Sequence, residues 1–187
     1  MVHLAPLSLA AMSLLTLAAA TPTAATTEPV FSFAKWVDDV VTNPETALSP
    51  EEAWQAYLDT ANSTTSVPVA ARGGVEKRWD PEVSCNNYDP GPAWAPDAVW
   101  CINNLAAKGS TACVAGSVTY FCTRGRARIT GVYSPPSGRV GQTSSCQQVA
   151  QSAGRIMDTC TAPNQYVEGS RMNINPETFM AVHIRAP

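Results

Sequence analysis

The stretch Pro96-Asp97-Ala98-Val99-Trp100-Cys101-Ile102-Asn103-Asn104-Leu105-Ala106-Ala107-Lys108-Gly109 decides how the rest of the chain can pack. A proline in the first turn with Asp97 beside it suits a helix start, where a missing N–H costs little and negative charge meets the helix N-terminus. Val99, Ile102, Leu105 and Ala106 recur at helical spacing as one apolar stripe, and Gly109 stops the helix after about Lys108. Downstream the period changes to that of strands. Thr111 to Ala115 and, past the Gly116-Ser117 turn, Val118 to Thr123 read as strands, and Arg126 to Val132 sets Arg126, Arg128 and Thr130 in alternation with Ala127, Ile129 and Gly131. Ser134-Pro135-Pro136-Ser137-Gly138 interrupts this, and a polar loop follows to Ser145. Ser145 and Gln148 form a capping box that opens a helix to about Cys160, with Val149, Ala153, Ile156 and Met157 inward. The chain ends as a hairpin, Tyr166 to Ile174 and Thr178 to Arg185, turning at Asn175-Pro176-Glu177.

Two helices with one apolar stripe each, separated by antiparallel strand pairs, bury those stripes most simply by lying side by side on one face of a sheet. The expected fold is therefore α+β: a two-layer sandwich of about four antiparallel strands with two helices on one face, of the ferredoxin-like kind. A core of this size calls for covalent staples. Cys85, Cys101, Cys113, Cys122, Cys146 and Cys160 are even in number, and none forms a Cys-x-x-Cys pair. With His183 the only histidine after residue 3, three disulfides are expected and no metal site or cofactor. Cys146 and Cys160 sit about 20 Å apart at opposite ends of one helix, so they cannot pair with each other. The other pairings stay open.

Upstream the chemistry changes at Val75-Glu76-Lys77-Arg78, before which there is no cysteine. Lys77-Arg78 in a secreted segment suits cleavage by a kexin-like protease. Leu4 to Ala20 is an apolar run ending in small residues and reads as a secretory signal peptide. The expected organisation is a signal peptide (1–20), a propeptide (21–78) and a mature cysteine-rich domain (79–187), extracellular and without a membrane span. The overall charge of −3 belongs to the propeptide, since the mature part balances eight Lys/Arg against seven Asp/Glu. That balance makes nucleic acid an unlikely partner. The propeptide carries two helical patterns. Phe33, Val37, Val40 and Val41 make the first, and a Ser49/Glu52 capping box with Pro50, Ala53, Tyr57 and Leu58 makes the second. Asn62-Ser63-Thr64 is an N-glycosylation sequon. Short amphipathic helices are marginal alone. Theirs are expected to dock on the mature domain, over the face carrying Arg126 and Arg128, where Asp38, Asp39 and Glu52 find opposite charge.

The segments Asp97 to Leu105, Gly109, Cys113, Tyr120-Phe121-Cys122, Gly125 to Gly131, Ser144 to Ala150 and Cys160 resemble the small cysteine-rich secreted proteins of filamentous fungi grouped with smut-fungus killer toxins and necrosis-inducing effectors. The resemblance covers about the last ninety residues. It implies the same architecture, a role in virulence or competition, and a protein or cell-surface target on another organism. It carries over no site residues.

No Gly-x-Ser-x-Gly, His-Glu-x-x-His or phosphate-loop motif occurs, so the chain is not read as an enzyme. A small ribonuclease is the catalytic alternative, assembled from Glu168 or Glu177 with His183 and Arg126 or Arg128. His183 falls on the strand phase opposite Met180, Val182 and Ile184, as an exposed sheet residue. Two binding features remain. Arg126 and Arg128, with Arg124 just before them, put two guanidinium groups on one strand face, a candidate binding face suited to carboxylate or phosphate. Trp79, Tyr88, Trp94 and Trp100 surround a Pro/Gly loop and offer stacking surface for a partner or a cell-wall polysaccharide.

Overall fold

The computed structural model describes residues 30–65, 82–85, 89–133, 142–172, 174 and 179–187. In chain order its elements are α1 (Phe33–Thr42), α2 (Pro50–Thr65), β1 (Val83–Ser84), β2 (Ala93–Trp94), α3 (Ala95–Ala106), β3 (Ala112–Ala115), β4 (Thr119–Arg124), β5 (Ala127–Tyr133), β6 (Gln142–Ser145), α4 (Cys146–Cys160), β7 (Tyr166–Val167), β8 (Gly169–Arg171) and β9 (Met180–Arg185). The fold is α+β, as the alternation of helix and strand signals predicts.

The main sheet is antiparallel, with strand order β1-β8-β9-β5-β4. Two hairpins, β4–β5 and β8–β9, join through their second strands. The inward phase of β5 (Ala127, Ile129, Tyr133) and of β9 (Met180, Val182, Ile184) is buried beneath α3 and α4, which share that face. β1 adds a fifth strand. The stretch 111–115 does not join this sheet; β3 pairs with β6, which lies in the segment expected to be loop. Likewise β7 leaves the terminal hairpin to pair with β2.

Capping fixes the helix starts. Ser145 Oγ accepts from the Gln148 N–H, and Gln148 Oε1 accepts from the Ser145 N–H. The same box opens α2, with Ser49 N–H donating to Glu52 Oε2 at 2.8 Å and Glu52 N–H to Ser49 Oγ at 3.3 Å. Three disulfides staple the layers. Cys101–Cys122 ties α3 to β4, Cys113–Cys146 ties β3 to the start of α4, and Cys85–Cys160 ties the end of β1 to the end of α4. Cys146 and Cys160 thus anchor opposite ends of one helix to different strands.

The helices before the cysteine region form a third layer. α1 packs on α4 and α3, and α2 packs on α3. Phe33 and Val37 are fully buried and Trp36 is nearly so; each side chain withdrawn from water contributes about 1.5–3 kcal/mol. Phe33 is also the centre of an aromatic set, with ring centroids 5.0 Å from Phe31, 5.2 Å from Tyr57 and 6.3 Å from Trp54. Docking on the cysteine-rich body is therefore correct, but its expected place is not. Asp38 accepts a hydrogen bond from Gln151 of α4 at 2.6 Å, on the helical side of the body. The sheet arginines lie elsewhere, because the apolar stripe of α1 follows the uncovered flank of α4 and charge plays the lesser part.

Two residues of α4 make this docking specific. A Cβ on Gly154 would lie 3.0 Å from the backbone of Phe33 and Ala34, so a larger residue would push α1 outward by a few tenths of an ångström. One turn on, the Asp158 carboxylate accepts from Ser32 Oγ (2.7 Å), Phe33 N–H (2.7 Å) and Ala34 N–H (3.2 Å). A side chain of the body thus satisfies the first-turn donors of α1 and places negative charge at its positive end. Burial, and after it the Asp158 charge, pushes the Tyr57 phenol above its ordinary value. Asp158→Ala is expected to lower stability by about 1–2 kcal/mol, read as a shifted urea midpoint; an unchanged midpoint would show that the cap contributes nothing.

Candidate functional site

The sheet face turned away from α3 and α4 is built by strand register. Ser84 pairs with Ser170, Ser170 with His183, His183 with Thr130, and Thr130 with Tyr120. One row of hydrogen-bonding side chains therefore crosses all five strands. The adjacent row sets Arg185 directly opposite Arg128, which pairs in turn with Thr123. Like charges at directly opposed positions of an antiparallel pair repel. None of these paired residues is acidic; the buried Glu168, just before β8, is next in line beyond Arg185 by the register of β8 on β9.

Arg128 lies over the Tyr120 ring with Cζ 4.2 Å from the centroid, and Tyr120 is 60% exposed. Arg185 reaches the Asp89 carbonyl at 3.5 Å through Nη1. Thr130 is fully buried. The Nε groups of Arg128 and Arg185 and the hydroxyl of Thr130 are buried without a hydrogen-bond partner among the described residues. His183 sits on this face, as its phase requires, but it is half-buried rather than exposed. Burial first, and then the Arg185 charge, lowers its pKa to about 4, so the imidazole is neutral at neutral pH with Arg185 on its own strand and Arg128 on the next. Between the ordinary value of 6.5 and about 4, the unfolded chain binds a proton here that the folded chain does not. Stability should therefore fall as pH drops through that window. His183→Gln should flatten this dependence of the urea midpoint; an unchanged slope would assign it to other groups.

Arg126 and Arg128, expected on one strand face with Arg124 just before them, are separated. Gly125 (φ +47°) and Arg126 form the turn between the paired Arg124 and Ala127. This tight turn needs glycine, since a Cβ on Gly125 would also meet Asp97 Oδ2 at 2.4 Å. Asp97, in the first turn of α3, accepts the Arg126 N–H at 2.8 Å. Arg126 therefore precedes the strand, and its guanidinium covers Trp94 (4.7 Å) and Tyr166 (5.5 Å) and donates to Tyr166 Oη. Arg124 turns to the helical side and covers Trp100 at 4.2 Å. Trp94 and Trp100 are half-buried under these cations, whereas Tyr120 and, just before β9, Phe179 are exposed rings among the described residues.

Of the ribonuclease constellation, the structure brings together only His183 and Arg128. Glu168 is buried between β7 and β8. Glu177, Lys77, Arg78, Trp79 and Tyr88 lie outside the described residues, as does the segment 1–20. Asn62 is exposed on the last turn of α2. Sequence reading missed Arg185, Thr130 and Ser170 as a set. The alternation in 180–185 placed Arg185 and His183 on one phase, but the adjacency of β5 and β9 was the missing signal. It also missed Arg171, a buried guanidinium on the helical side that donates to Ser152 Oγ and the Ile174 carbonyl and pairs with Glu82.

No helix among the described residues is long and apolar enough to cross a membrane. No curated protein and no solved structure matches the chain. The family model described as Domain of unknown function (DUF8794) matches residues 80–186, which hold all six cysteines, β1 to β9, α3, α4 and both rows of the sheet face. Because that match spans more than half of the 187 residues, the chain belongs to the family described as Domain of unknown function (DUF8794).

Proposed function

We propose that residues 79–187 act as a secreted recognition protein of the toxin or effector kind, which binds a target on a competitor or host cell through the outer face of its sheet. The observation that carries this reading is the Arg128–Arg185 pair, two guanidinium groups directly opposed on neighbouring strands. Such an arrangement costs stability in isolation and gains by meeting an anionic partner. The leader-like run at 1–20, three disulfides and a family match beginning two residues after Arg78 support export and maturation after Lys77-Arg78. Recognition is favoured over sugar stacking because the described tryptophans other than Trp36 and Trp54 lie beneath arginines.

Purified protein applied to fungal, plant and animal cells should inhibit or kill at least one of them. Arg128→Ala/Arg185→Ala should lose that effect while keeping its fold. Full activity in the double variant would overturn the reading. Retention on chitin or glucan would favour a wall-binding module, and RNA cleavage abolished by His183→Ala would favour the enzyme.

A further inference from the structure

We infer that the outer sheet face holds a binding site for a tetrahedral oxyanion, a phosphate or sulfate ester borne by the partner, with Arg128 and Arg185 as its cationic walls and Thr130 as its inner hydroxyl donor. The inference rests on the reading of this face as the recognition surface and supplies its ligand chemistry.

Three observations converge on it. First, Arg128 and Arg185 are direct cross-strand partners, and neither makes an ion pair among the described residues. Their mutual repulsion is relieved by one shared anion, which each planar fork can meet along its edge. Second, both Nε–H groups and the Thr130 hydroxyl are buried without a partner among the described residues, and Thr130 is 0% exposed. A buried donor without an acceptor is costly; three at adjacent positions on two strands define one acceptor-seeking locus. Third, further hydrogen-bonding groups lie on the same face. The row beyond the arginines offers hydroxyl groups of Tyr120 and Ser170 and the His183 imidazole, and Tyr120 already holds the Arg128 guanidinium in place by cation–π contact. Donors carried on two neighbouring strands and at an inner position do not share one plane, which suits a tetrahedral group better than a planar carboxylate.

The test uses the full chain titrated with inorganic phosphate and inorganic sulfate, with sodium chloride at matched ionic strength to remove general screening. Phosphate should raise the thermal midpoint in a saturating way beyond the chloride control. Arg128→Gln and Arg185→Gln should each weaken the apparent affinity about 10- to 100-fold, the loss of one charge-assisted contact, and Lys108→Gln should leave it unchanged. If a glutamine variant unfolds, Arg128→Lys and Arg185→Lys take its place, and the smaller loss expected of them still depends on the fork geometry. A phosphate response no larger than chloride, or one that survives the double variant, overturns the site. Acetate matching phosphate overturns the tetrahedral assignment. Co-sedimentation with phosphatidylinositol-phosphate vesicles but not phosphatidylcholine vesicles, lost in the double variant, supports the site with a lipid-borne ester. Phosphate binding without vesicle capture supports it with a soluble or polymer-borne ester. If phosphate binds but the arginine variants keep their effect on cells, the site stands and the recognition reading falls; the reverse result separates them the other way.

Discussion

Phe33→Ala is expected to destabilise the protein by about 3–5 kcal/mol, the range for truncating a buried aromatic, although Phe33 lies more than fifty residues before the first cysteine. Its ring is fully buried, faces Phe31, Tyr57 and Trp54, and sits where the α1 backbone meets Gly154 of α4. Little can relax into the space, because one wall is a glycine contact and another is a helix end fixed by Asp158. Against a total stability of roughly 5–15 kcal/mol for a single domain, such a loss is large. It is read from urea unfolding of the full chain beside Lys35→Ala, an exposed position on the same helix. A loss below about 1 kcal/mol would show that α1 is an accessory. The same physics predicts that residues 79–187 expressed without 30–65 fold in lower yield, since the flank of α4 that carries Gln151, Gly154 and Asp158 loses its cover.

The second large effect is expected at the Cys85–Cys160 bridge. The three disulfides span sequence separations of 75, 21 and 33 residues for Cys85–Cys160, Cys101–Cys122 and Cys113–Cys146. Chain-entropy arguments put their contributions at about 4.5, 3.3 and 3.7 kcal/mol in that order. Replacing Cys85 and Cys160 together by alanine should therefore cost most. It also releases β1, a two-residue edge strand whose other attachment is its pairing with β8. Thermal unfolding of the three double-alanine variants gives the ranking. The Cys85/Cys160 variant retaining the highest midpoint would refute it.

Local signals in the sequence were sufficient for the helices and insufficient for the pairings. Ser145 with Gln148 and Ser49 with Glu52 mark helix starts within four residues, and the structure places both boxes there. α2 runs on to Thr65, past Leu58 where its apolar pattern ends, because a helix needs no stripe once its first turns are docked. Partnership of β3 with β6 and of β5 with β9 joins residues some 30 and 50 positions apart, and nothing in either strand's alternation names its neighbour. For that reason the candidate site was legible only by halves: Arg128 and His183 each fell on the correct phase, but Arg185 joins them through register. Arg126 was misplaced because alternation was counted through Gly125-Arg126, where the chain turns.

All three disulfides close loops between residues 85 and 160, and none reaches the helices that Asp158 and Gly154 hold. Tethering by a short peptide keeps two such pieces at an effective concentration on the order of millimolar. Once the peptide between residues 65 and 82 is cut, the α1–α2 piece becomes a ligand with a dissociation constant, and its occupancy follows the concentration of both partners. Where the two pieces are concentrated they stay together, and where they are diluted they part by mass action, so that dilution alone sets the moment at which the flank of α4 meets water.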